Sequence, residues 1–142
     1  MAHLVNKTKV GCAFSLIVMF LIAFARPVFA DDYALVIRGK AQVFEEVLKG
    51  IRDDVEDEVL FAEVVIDDKT TSLNIDKAYN KFNPRLIILI GNKAVNLYSN
   101  FQKRNYNMEF PPAIAMAALF IDEFASKLKN FTAIRYEIPA VT

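Results

Sequence analysis

The chain has 142 residues, 54% of them hydrophobic, which is material for a packed core and not for a disordered tail. Its 17 basic side chains are matched by 17 acidic ones, so there is no cationic excess of the kind a nucleic-acid binder needs. A single cysteine (Cys12), a single histidine (His3) and no tryptophan leave few routes to zinc, disulfide or histidine-based chemistry.

Residues 1–30 read as a secretory signal. Lys7 and Lys9 give a positive start, Val10 to Ala25 is an apolar run, and Arg26-Pro27-Val28-Phe29-Ala30 ends on small residues suited to cleavage. The apolar run is shorter than the ~20 residues that span a bilayer, so cleavage before Asp31 is expected over a membrane anchor. Membrane contact would then come only from an uncleaved signal. Cleavage would remove Cys12 and His3 together with Lys7, Lys9 and Arg26. That leaves 112 residues with 14 basic against 17 acidic side chains, a net charge of −3. A chain of this length is expected to fold as one domain, 31–142, with no cysteine nucleophile and no histidine triad.

From Asp31 onward, short apolar runs alternate with segments of helical period, the pattern of strand-helix-strand units around a parallel sheet. Tyr33 to Ile37 is the first strand. After Arg38-Gly39-Lys40, apolar residues Phe44, Val47, Leu48, Ile51 and Val55 recur on one helix face. Leu60 to Ile66 is a second strand interrupted by Glu63, and Ser72 is placed to cap a helix whose inner side carries Ile75, Tyr79 and Phe82. Asn83-Pro84 ends that helix. Leu86 to Ile90 is the most continuously apolar strand, leading through Gly91-Asn92-Lys93 into a helix that buries Ala94, Tyr98 and Phe101. Ala113 to Ala117, a short helix from about Asp122 to Leu128, and a strand from Phe131 to Ile138 complete the series. Unbroken apolar strands belong in a sheet's interior and charged or alternating ones at its edges. The expected fold is therefore α/β, a doubly wound, mostly parallel five-stranded sheet of order 2-1-3-4-5. Its ligand crevice would open at the carboxyl ends of strands one and three.

The loops after these strands decide among the functions such a sheet can carry. Arg38 and Gly91 stand where a phosphoacceptor receiver needs acids, the first loop lacks the hydroxyls of a flavodoxin phosphate loop, and no glycine-rich nucleotide motif occurs. No catalytic pair, metal-ligand spacing or cofactor motif is present, since Asp67-Asp68 and the Asp53 to Glu58 acids lack the spacing of a calcium loop. The residues placed at the crevice are Arg38 and Lys40 after strand one, Gly91, Asn92 and Lys93 at the start of the third helix, and Ala117 at the end of strand four. A cation and a helix start are suited to hold a ligand carboxylate.

Tyr33 to Ile37 with Phe44 to Ile51, the segment Asn83 to Ala94, Pro111 to Met116, and Lys129 to Ile134 together resemble the substrate-binding proteins of ABC transporters, in the group that includes aromatic amino-acid binders. The resemblance runs from Asp31 to Thr142. It implies one lobe, the first, of a type I periplasmic binding protein. It also implies a periplasmic or secreted, non-enzymatic domain that takes an amino-acid-like ligand and partners an ABC permease or another envelope protein. The family's small hydroxyl residue after strand one and its Pro and Gly after strand four are missing here. A single-lobe interaction or sensory module without transport activity is the alternative reading.

Overall fold

A computed structural model describes residues 32–55, 59–119 and 121–135. The signal segment 1–30, the acids Glu56 to Glu58 and the distal part of the fifth strand, from Tyr136, lie outside the described residues. The elements in chain order are β1 (Tyr33–Gly39), α1 (Gln42–Val55), β2 (Leu60–Ile66), α2 (Ser72–Phe82), β3 (Leu86–Ile90), α3 (Asn92–Arg104), β4 (Ala113–Met116), α4 (Asp122–Ala125) and β5 (Phe131–Ala133). The strands form one all-parallel sheet of order β2-β1-β3-β4-β5, as the strand patterns predict.

Alternation along the strands assigns side chains to the two faces. Leu35, Ile37, Ile87, Leu89, Ala113 and Ala115 point to one side, where Ile75 and Tyr79 of α2 and Tyr98 and Phe101 of α3 cover them. Phe124 of α4 packs against the same cluster. Ala34, Val36, Ile88 and Ile90 point to the other side and meet Leu48, with Phe44, Val47 and Ile51 of α1 around it. The helix faces predicted from three- and four-residue spacing are the ones that are buried. Aromatic packing dominates the α2/α3 side: the Tyr98 and Phe101 rings stack at 5.7 Å, and Phe110, which sequence patterning does not flag, meets Phe101 edge-on at 5.7 Å.

Boundaries differ from the sequence reading at several elements. β1 continues through Arg38 and Gly39, because both residues keep parallel pairing with β2. Helix α2 is capped by Thr71 and not by Ser72. Thr71 is extended (φ −124°, ψ 173°) and its N–H donates to the Asn74 side-chain oxygen at 2.9 Å, which leaves Ser72 as the first helical residue. The helix ends as predicted, with Asn83 left-handed at φ 44° and its N–H donating to the Tyr79 carbonyl. The fourth helix is a single turn ending at Ala125, and Leu128 is buried beyond it. β5 closes the sheet opposite β2 and stops at Ala133, short of the expected strand, because only Phe131 to Ala133 pair with β4; its approach is clamped by Gln102. That buried amide donates to the Lys129 carbonyl at 3.0 Å and accepts from the Lys129 N–H at 2.8 Å. Among the described residues no helix is long and apolar enough to cross a membrane.

Candidate functional site at the carboxyl ends of the strands

The chain leaves β1 toward β2 and returns to the other side of β1 as β3, so the switch point lies between β1 and β3. Two of the chain's four glycines, Gly39 and Gly91, end these strands. Gly91 has φ 88° and ψ 164°, a backbone region that side-chain-bearing residues almost never enter. A Cβ added at Gly91 would lie 2.9 Å from the Phe44 Cζ, and one added at Gly39 would lie 3.0 Å from the Phe44 Cε2. The Phe44 ring, carried by the first turn of α1, therefore fills the switch-point crevice from the α1 side. The helical spacing places Phe44 on the core face of α1, where it does pack, but carries no sign that its ring also enters the crevice. The signal that could have found the plug is the pair of strand-ending glycines, each needed to admit one edge of the same ring.

Arg38 is also placed differently from the sequence expectation. Residues two apart on a strand share a face, so Arg38 projects with Ala34 and Val36 toward α1. Glu63 is opposite Val36 in the β1/β2 register and reaches the same side. The Arg38 Nε donates to Glu63 at 2.9 Å, and Arg52 of α1 donates to the other Glu63 oxygen. With its side chain only 11% exposed, Arg38 is a neutralised element of the β1–β2–α1 interface, not a free cation at the crevice mouth. Lys40 is exposed and borders the same charged recess as Arg38.

The charged recess on the α1 side, bounded by Arg38, Lys40, Arg52 and Glu63, has a volume of about 670 Å³, and a second open space lies on the other side, beside α3. A cleft of about 580 Å³ is bounded by Ile66, Asp67, Asp68 and Thr70 at the end of β2, by Asn92, Lys93, Asn96 and Leu97 on α3, and by Leu119, Glu123 and Phe124 after β4. Of the six residues expected at the crevice, only Asn92 and Lys93 line it. Gly91 is buried beneath Phe44, while Ala117 packs on the α1 side with a left-handed φ of 51°. In the structure Gly91 occupies the cap position and the Asn92 Oδ1 accepts from the Leu119 N–H, tying the β4–α4 loop to the start of α3.

The cleft's electrostatics follow from its turn chemistry. The Asp67 carboxylate accepts from the Thr70 hydroxyl at 2.7 Å and from the Lys69 N–H at 2.9 Å. The Thr70 hydroxyl, then the Lys69 N–H and the nearby Lys40 charge hold the Asp67 carboxyl below its ordinary 3.8. The side chains of Asp68, Glu123 and Lys93 are exposed and make no hydrogen bond or ion pair with one another or with other described residues. Leu97 and Phe124 supply an apolar wall and pack back onto the core. Among the described residues no group of three His, Cys, Asp or Glu side chains is arranged to hold a metal ion. The arrangement has the size and mixed lining of a small-ligand site. No family model, curated protein or solved structure matches the chain.

Proposed function

We propose that this chain is a periplasmic or secreted small-ligand-binding domain, akin to one lobe of the substrate-binding proteins of ABC transport systems, and that it is not an enzyme. The observation that carries the reading is the cleft of about 580 Å³ at the carboxyl ends of the strands, which joins polar groups to the apolar wall of Leu97 and Phe124, whereas the recess on the α1 side is lined almost wholly by charged side chains. The signal pattern in residues 1–30 supports the compartment. The parallel sheet of order β2-β1-β3-β4-β5 is consistent with such a lobe. Because the cleft covers its ligand from one side, the affinity expected is weak, in the millimolar to high micromolar range, about −4 to −6 kcal/mol.

A calorimetric and thermal-shift screen of amino acids and related metabolites tests the reading. A ligand whose binding is abolished by Asn96→Trp, an exposed α3 position on the cleft wall, supports it. Absence of any hit, or a hit indifferent to that substitution, counts against it. A second reading, a module that docks on an envelope protein, is supported by Leu60 and Val65 on the edge strand β2, which are 47% and 39% exposed. Enrichment of one partner in a pull-down, lost on Val65→Lys, would favour that reading.

A further inference from the structure

The charge around the cleft is opposite in sign to what a carboxylate-bearing ligand requires. Arg38 and Arg52 are both engaged by Glu63 on the α1 side of the sheet, so neither serves the cleft. The side chains that line it carry three carboxylates, Asp67, Asp68 and Glu123, against the single ammonium of Lys93. The Lys40 charge, from the β1–α1 turn, acts on Asp67 as well. Asp67 is occupied by its own turn, accepting from Thr70 and Lys69. Asp68 on the β2 side and Glu123 on the β4 side remain to meet a ligand, with Leu97 and Phe124 forming an apolar wall in the same cleft. An anion entering here would gain from Lys93 and the start of α3 but be opposed by three carboxylates, whereas an ammonium would gain from Asp68 and Glu123 and be opposed by that one cation and helix start. An apolar body attached to that ammonium would cover Leu97 and Phe124 and gain from their burial.

We propose that the cleft selects a monovalent organic cation, an amine with an apolar or aromatic body, over carboxylates of the same size. This rests on the cleft being the ligand site, and adds the ligand's charge and shape to that reading. Lys93 sits at the first turn of α3, where it opposes a second positive charge and so favours a monocation over a polyamine.

The test compares three probes of similar size on the full chain by calorimetry: phenethylamine, 2-phenylethanol and 3-phenylpropanoate. Phenethylamine is expected to bind most tightly and 3-phenylpropanoate most weakly. Asp68→Asn and Glu123→Gln should each weaken the amine roughly two- to fivefold, the effect of losing a partly exposed ion pair, and leave the alcohol unchanged. Raising the salt from about 0.01 M to 1 M, which shortens the screening length from roughly 30 Å to 3 Å, should erase most of the amine's advantage. Equal or tighter binding of the carboxylate, or an amine affinity indifferent to both substitutions, overturns the charge assignment. If none of the three probes binds, the amine preference falls, and a free amino acid that binds the full chain but not Asn96→Trp would keep the cleft as the ligand site. If bound amine is insensitive to Asn96→Trp, the cleft itself is the wrong location.

Discussion

Replacing Gly91 by alanine separates two physical effects at the switch point. The first is conformational: φ 88° with ψ 164° is open to glycine, and an L-residue held there costs about 1–3 kcal/mol. The second is steric: the new Cβ would lie 2.9 Å from the Phe44 Cζ, and the ring is hemmed in on its other edge by Gly39, so overpacking adds about 1–3 kcal/mol. Gly91→Ala should therefore cost about 2–6 kcal/mol, a large share of the 5–15 kcal/mol that stabilises an ordinary domain. In a Phe44→Ala background the steric part disappears and only about 1–3 kcal/mol should remain, giving a coupling of about 1–3 kcal/mol between the two positions. Gly39→Ala has only the steric part, so its cost should vanish almost wholly in that background. Urea unfolding followed by far-ultraviolet circular dichroism, which needs no tryptophan, measures all the variants. Equal costs for Gly91→Ala in the two backgrounds would show that the Phe44 ring does not fill the crevice.

Arg38→Ala should lower stability by about 1.5–3 kcal/mol, since it removes a charge-assisted hydrogen bond from the part-buried Glu63, and should leave the affinity for any cleft ligand unchanged. Calorimetry paired with thermal melts checks this, and weakened binding at an unaltered melting temperature would return Arg38 to the site. Tyr98→Phe should be neutral or stabilising by up to about 1 kcal/mol at neutral pH, because the Tyr98 hydroxyl is buried and the neighbouring Gln102 amide is committed to the Lys129 backbone, which leaves the hydroxyl without a hydrogen bond of good geometry among the described residues. Burial pushes the Tyr98 phenol up from 10.0 to about 12, so the folded state holds that proton more tightly than the unfolded state does. The resulting contribution is fully present below pH 10 and fades as the pH rises toward 12, a loss of about 3 kcal/mol that Tyr98→Phe should abolish in alkaline unfolding curves. Ala117→Gly should raise stability by up to about 1 kcal/mol: relief of about 1–2 kcal/mol of left-handed strain at φ 51° is partly offset by glycine's extra freedom in the unfolded chain. A loss of stability in urea titrations would mean that the alanine methyl packs more tightly than its position implies.

What the sequence alone determined about this protein is its sheet. Leu86 to Ile90 is apolar at every position because helices cover both of its faces, Glu63 marks β2 as an edge, and the spacing of Ile75 and Tyr79, then Ala94, Tyr98 and Phe101, identifies the buried helix faces. These are local periodicities, and periodicity survives in a linear string. The start of α3 was legible too, since Asn92 and Lys93 do line the cleft. Only the tertiary structure decided the chemistry around that helix start. Whether Arg38 is a free cation or half of an ion pair depends on β1 continuing two residues past its apolar run, on the register that sets Val36 opposite Glu63, and on Arg52 arriving from α1. Whether the switch-point crevice is open depends on one ring, Phe44, meeting two glycines that lie 5 and 47 positions away along the chain. Asp68 in the turn after β2, Leu97 on α3 and Glu123 on α4 share no spacing that marks them as neighbours. Their proximity is created by the crossovers of the parallel sheet, which gather the loops after non-adjacent strands at one end of the molecule.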